Sequence, residues 1–138
     1  RQVKMAASRC VVHGDAALWN FVLPEDAGGP VYLLDFQLWG VGLPAWDVGY
    51  MITLLWPTDF RQVFEKEMVA AYLDELDALG VRYAADVFLR DLRVCTLGLI
   101  GLTLANYELG TWGADVTSER MGWLMAAYEE YGCSELIT

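Results

Sequence analysis

Residues 10–47 read CVVHGDAALWNFVLPEDAGGPVYLLDFQLWGVGLPAWD, and this stretch constrains the fold more than any other. Two short apolar runs, at 10–12 and 31–34, each deliver an acidic residue at or just past their ends, Asp15 and Asp35. The cluster Pro24-Glu25-Asp26-Ala27-Gly28-Gly29-Pro30 is a turn signal, so the run 21–23 is predicted to pair with 31–34 as a hairpin. That hairpin brings Asp15, Asn20 and Asp35 to one edge, where three oxygen-bearing side chains could converge on a hard cation. A run of leucines precedes Asp35. An ionised carboxylate in such surroundings is costly unless it is paired or metal-bound.

The remainder is predicted to be helical. Residues 1–9, with Arg1, Lys4 and Arg9, read as the tail of a helix, and 37–43 as a loop containing two glycines. Pro44 suits the first turn of a helix over 44–55, with Asp47 favourably placed near its positive end. Asp59 is a candidate cap for a helix over 60–79, ended by Gly80. Its apolar face is predicted at Phe60, Phe64, Met68, Ala71/Tyr72, Leu76 and Leu79. A third helix, 84–109, starts amphipathic and becomes apolar throughout, so it is predicted to be the central buried one, with Gly98 and Gly101 admitting close neighbours. Thr117 or Ser118 is predicted to cap a last helix over 119–131. The fold class is α+β: mostly helical, one domain over 1–138, with a short β-hairpin at the active edge.

Composition narrows the partners. Nineteen acidic residues against nine basic ones give a net charge of −10, which disfavours a nucleic-acid partner and is compatible with a cationic small molecule. The three cysteines lack metal-type spacing, and Cys95 reads as a small core residue; a disulfide framework is not expected, in keeping with a cytoplasmic location. The longest uncharged run, 94–107, is fourteen residues, short of the roughly 20 needed for a membrane span.

The spacing Asp15, Asn20 and then Asp35-Phe36 resembles the arrangement of kinase-type phosphoryl-transfer enzymes. With Gly14 where protein kinases carry Arg, and Ala17 where they carry Lys, residues 10–55 resemble the small-molecule kinases instead. These are the aminoglycoside phosphotransferase and choline kinase-like superfamily, closest in look to its ecdysteroid-kinase-like (CHK-type) group, in which Asp-Phe-Gln is also familiar. The resemblance implies the C-terminal lobe of a protein-kinase-like fold and ATP-dependent transfer of a phosphoryl group to a hydroxyl of a small molecule. It implies Asp15 as the catalytic base, and Asn20 and Asp35 as holders of Mg2+. His13 and Asp47 would shape the catalytic loop. Trp19, Trp39, Asn106 and Glu108 are candidates for substrate contact, although core packing is the ordinary reading of Trp19 and Phe21. Gln37 is given no metal role.

Such an enzyme also needs a Gly-rich loop and a strand lysine over the nucleotide. Residues 1–138 contain neither, since Gly40-Val41-Gly42 follows Asp35 and Gly98 and Gly101 lie in a helix. Residues 1–138 therefore read as the C-lobe of a longer phosphotransferase whose N-terminal nucleotide lobe is not among them, and as inactive alone. Two other readings stand beside it: a non-catalytic kinase-like binding or regulatory module, and a metal-dependent phosphoester hydrolase.

Overall fold

The computed structural model describes residues 9–26 and 28–137. The helical tail expected at 1–9 lies outside the described residues, Arg9 apart. Two small antiparallel sheets frame the site. In the first, β1 (Cys10–Val12) pairs with β4 (Gly40–Gly42), Val11 lying opposite Val41. Alternation along β1 sends Val12 inward and leaves Val11 exposed. A β-carbon on Gly42 would meet Val12 at 3.1 Å, so the glycine makes room for that inward side chain. The expected loop at 37–43 therefore contains a strand. Its glycines, which weaken strand signals, hide it from sequence.

In the second sheet β2 (Phe21–Val22) pairs with β3 (Tyr32–Leu33), the hairpin predicted across the Pro/Gly-rich turn. Short 3-10 turns at Leu18–Asn20 and Phe36–Leu38 lead into and out of it.

The helix predicted over 44–55 is two pieces. It begins as α1 (Ala45–Gly49), with Pro44 at its cap, and continues as a π-helical segment, Tyr50–Leu55. Single-turn π geometry is uncommon and concentrates at functional sites. This rod divides the core. Val48 and Ile52 pack with Phe88, Leu92 and Cys95 on one side, while Tyr50 and Leu54 pack with Ala17, Leu99 and Leu124 on the other.

Three long helices enclose the rod: α2 (Thr58–Ala78), α3 (Ala85–Glu108) and α4 (Ala114–Glu130). Their ends depart from expectation in local detail. Asp59 lies inside the first turn of α2, with Pro57 as the cap, and α4 starts early at Ala114, with Gly113 as its cap. Thr117 sits within α4 and donates to the Gly113 carbonyl instead of capping.

The predicted apolar face of α2 holds at Met68 and Tyr72, which pack on the core, and fails at its two ends, with Leu79 exposed at one. At the other, Phe60 and Phe64 are partly exposed, Phe60 meeting Trp56 edge-on and Phe64 at a tilt, whereas Arg61 is fully buried. Arg61 reaches Glu65 at 2.8 Å and Glu130 of α4 at 2.7 Å, and these partners are what permit its burial. Helix α3 is buried along one face only, since Val94, Leu104 and Tyr107 remain exposed. Gly98 admits the Trp46 ring, a β-carbon there lying 3.1 Å from it, while Gly101 faces open space and has no such role. Asp91 is buried and accepts the Tyr83 hydroxyl at 2.8 Å. Among the described residues no helix is long and apolar enough to cross a membrane.

Candidate active site

The loop between β1 and β2 is held by α1. The Asp47 carboxylate accepts the backbone N–H of His13 at 2.7 Å through Oδ2 and that of Gly14 at 2.9 Å through Oδ1. Two loop donors that form no strand bonds are thereby satisfied by one side chain. Gly14 has φ 86°, the left-handed region, and a β-carbon there would overlap the Leu38 carbonyl oxygen. Only glycine meets both conditions.

His13 is buried and joins the loop to the hairpin. Its Nε2 lies 2.8 Å from the Leu34 carbonyl oxygen, while Nδ1 accepts the Asp15 N–H at 3.3 Å. A carbonyl requires a donor and an N–H requires an acceptor, so the pair of contacts selects the Nε2–H tautomer. The Phe36 ring meets the imidazole edge-on at 4.7 Å. The first residue after Asp35 thus packs on the residue two before Asp15.

Asp15 is half-buried and held from two sides. The Asn20 Nδ2 donates to the Asp15 backbone oxygen at 2.8 Å and to Oδ2 at 3.1 Å, and the Tyr50 hydroxyl donates to Oδ1 at 2.7 Å. Both Asn20 contacts are acceptors, which orients the amide and leaves its Oδ1 without a donor among the described residues. Asn20 is also tied to the residue that follows β3, since Leu34 N–H donates to its carbonyl at 2.8 Å. Asp35 follows directly, at φ 61° the one described non-glycine residue with positive φ.

Asp35 is exposed and has no hydrogen-bond partner among the described residues. The burial expected from its leucine-rich surroundings is therefore corrected: Leu34 itself is half exposed, and the 3-10 turn carries the carboxylate outward.

Tyr50 is the residue that sequence reasoning missed. It is only 5% exposed, and its phenol is pushed well above its ordinary value by burial and then by the Asp15 carboxylate, with Arg120 pulling the other way. It stays protonated at neutral pH and remains a donor. The available signal was the spacing Asp47-x-x-Tyr50, which puts both side chains on one helix face, toward the loop.

Of the substrate candidates, Trp19 and Trp39 are 64% and 60% exposed at the rim of this loop. Core packing for Trp19 is thus overturned, because the turn Leu18–Asn20 buries Asn20 and turns Trp19 out. Asn106 donates to the Leu102 carbonyl of its own helix, and Glu108 is exposed. Neither hydrogen-bonds to the Asp15 cluster.

The donor set at the edge comprises the Asn20 Oδ1 and the Asp35 carboxylate, hard oxygens of the kind magnesium takes. Among the described residues no group of three or more His, Cys, Asp or Glu side chains forms a self-sufficient metal centre.

The loop braced by Asp47, the doubly held Asp15, and the residues Asn20 and Asp35 make up the candidate site. In comparison with known families, the model described as the phosphotransferase enzyme family (APH) matches residues 1–82. The chain belongs to that family, within the aminoglycoside phosphotransferase and choline kinase-like superfamily. No curated protein and no solved structure matches it.

Proposed function

We propose that this chain is the acceptor-side lobe of an ATP-dependent small-molecule kinase that phosphorylates an alcohol. The observation that carries this reading is the doubly held Asp15 carboxylate. It is fixed by Asn20 on Oδ2 and Tyr50 on Oδ1, yet each oxygen keeps a lone pair for a substrate hydroxyl. Asp15 orients that hydroxyl and takes its proton as the phosphoryl group arrives. Asn20 and Asp35 would hold Mg2+, which when bound neutralises charge on the phosphates. His13 and Asp47 keep the loop in shape, and in-line transfer asks little more of the protein than positioning.

The kinase-like lobe arrangement is part of the proposal. The Gly-rich loop and lysine would come from sequence outside residues 1–138. A band of exposed apolar side chains around the site supports this reading: Val11 on β1, Leu34, Phe36 and Leu38 after β3, and Val41 on β4. An apolar patch of this kind beside a polar site marks an interaction surface. The acceptor is a small alcohol of the aminoglycoside, choline or steroid type, contacted at the rim by Trp19 and Trp39.

The test is acceptor-dependent ADP release by the full-length protein, assayed against amino-alcohols, aminoglycosides, sugars and sterol-like alcohols. Asp15→Ala should lower turnover by about 10²–10⁴-fold, the range for losing a positioned base. Asp35→Ala should abolish magnesium-dependent nucleotide use. Turnover unchanged in both variants overturns the reading. Absence of both turnover and Mg-ATP binding in the wild-type protein would favour a binding module that keeps the fold without the chemistry.

A further inference from the structure

We infer that Tyr50 is a positioning residue for the reaction, setting the plane of the Asp15 carboxylate from the same helix face that carries Asp47. The inference rests on the phosphotransferase reading above and adds a residue to it. Packing alone does not account for this side chain. Tyr50 lies among Ala17, Leu54, Leu99 and Leu124, an apolar cluster that a phenylalanine would fill equally well. The hydroxyl is the part that needs a reason, because a buried phenol requires a partner. Among the described residues its hydrogen-bond partner is the Asp15 Oδ1, at 2.7 Å and thirty-five positions away.

Geometry gives the hydroxyl a distinct task. Asn20 already fixes Oδ2, but one donor on a carboxylate leaves its plane free to swing about the Cβ–Cγ bond. A second donor on Oδ1 removes that freedom. The carboxylate then presents one remaining lone-pair direction on each oxygen to an incoming hydroxyl. Asp47 and Tyr50, one helical turn apart, divide the work: Asp47 holds the loop backbone at His13 and Gly14, and Tyr50 holds the loop's reactive side chain. The change to π geometry begins at Tyr50 itself, where the phenol enters the loop.

The experiment is a double-mutant cycle in the full-length protein. Tyr50→Phe keeps the ring, so its thermal midpoint should stay near that of the wild type. Its kcat should fall about 10–100-fold, the scale of a misplaced catalytic group, with KM for ATP and acceptor within about twofold. In an Asp15→Ala background, Tyr50→Phe should produce no further loss, because its partner is already gone. As a second measurement, the Tyr50 hydroxyl proton should be visible by NMR as a slowly exchanging signal in the wild type and lost in Asp15→Ala. Equal losses in both backgrounds, or a hydroxyl signal that survives Asp15→Ala, overturn the positioning role. Wild-type turnover that Tyr50→Phe leaves intact overturns this role alone. No wild-type turnover overturns the functional reading together with it.

Discussion

The α-carbon of Gly14 faces the carbonyl oxygen of Leu38 with no room for a β-carbon between them. The Asp15 loop therefore lies directly against the turn that follows Asp35. Gly14→Ala meets this clash and a left-handed φ of 86° together. It should cost at least about 1–3 kcal/mol from the backbone conformation alone, read as a lowered denaturation midpoint. Gly40→Ala is the control. A β-carbon there meets nothing within 4 Å, and the change should stay within about 0.5 kcal/mol.

Asp47 offers a sharper contrast. Both its oxygens accept backbone N–H groups. Asparagine has one acceptor and would turn its NH2 toward one of those donors. Asp47→Asn keeps one of the two hydrogen bonds and should therefore be milder than Asp47→Ala, which leaves both donors unpaired. Each should cost about 1–3 kcal/mol for every donor left unpaired in this part-buried loop. Amide hydrogen exchange at His13 and Gly14 should quicken in both variants, ahead of exchange in α3. Protection unchanged at those two amides would show that the carboxylate does not hold the loop.

Much of the frame was legible because its signals are local. The β2–β3 hairpin announces itself through Pro24, Gly28, Gly29 and Pro30, and the ends of α3 agree with the predicted bounds to within a residue. What the sequence hid is non-local. Strand β4 exists because Val41 lies opposite Val11, thirty positions away, and nothing in Gly-Val-Gly predicts that partner. Arg61 reads as a surface cation until Glu130 of another helix comes within 2.7 Å. Tyr50 reads as one more apolar helix residue, although its spacing from Asp47 already placed both on one face. Asp35 was expected to be buried because its neighbours are leucines, and a single 3-10 turn reversed that.

The cysteines should differ widely in reactivity. Cys95 is buried in the core, and its thiol is pushed up to about 12 by burial and then by the Asp91 and Asp47 carboxylates. Cys133 is equally enclosed, and Cys10 is exposed at the start of β1. Alkylation of the native protein at neutral pH should therefore modify Cys10 first, with Cys95 and Cys133 reacting only on unfolding. Peptide mapping after a short iodoacetamide pulse checks this. Early modification of Cys95 would mean that α1 and α3 separate without global unfolding.

The polar anchor between α2 and α4 gives stability a pH dependence with a definite sign. Burial alone would push the Glu130 carboxyl up, but the Arg61 and Gln62 donors outweigh it and hold Glu130 below its ordinary value of 4.5. A carboxyl lowered on folding contributes stability that is fully present above its unfolded value and is lost as pH falls through the folded one. The Glu130 contribution should therefore be intact at neutral pH and disappear below about 4.5. Arg61→Met removes the shared partner. Glu65 keeps the Tyr131 hydroxyl at 2.7 Å, and Glu130 is partly reached by water, so the loss should lie near the lower end of the range for breaking a buried pair, about 3 kcal/mol. The substitution also removes the buried Arg61 Nε, which has no hydrogen-bond partner among the described residues, and that gain offsets part of the loss. Denaturation of both proteins from pH 7 to 3 separates the contributions: the difference in stability should narrow as Glu130 protonates. A difference that stays constant over that range would mean the Arg61–Glu130 contact is not what ties α2 to α4.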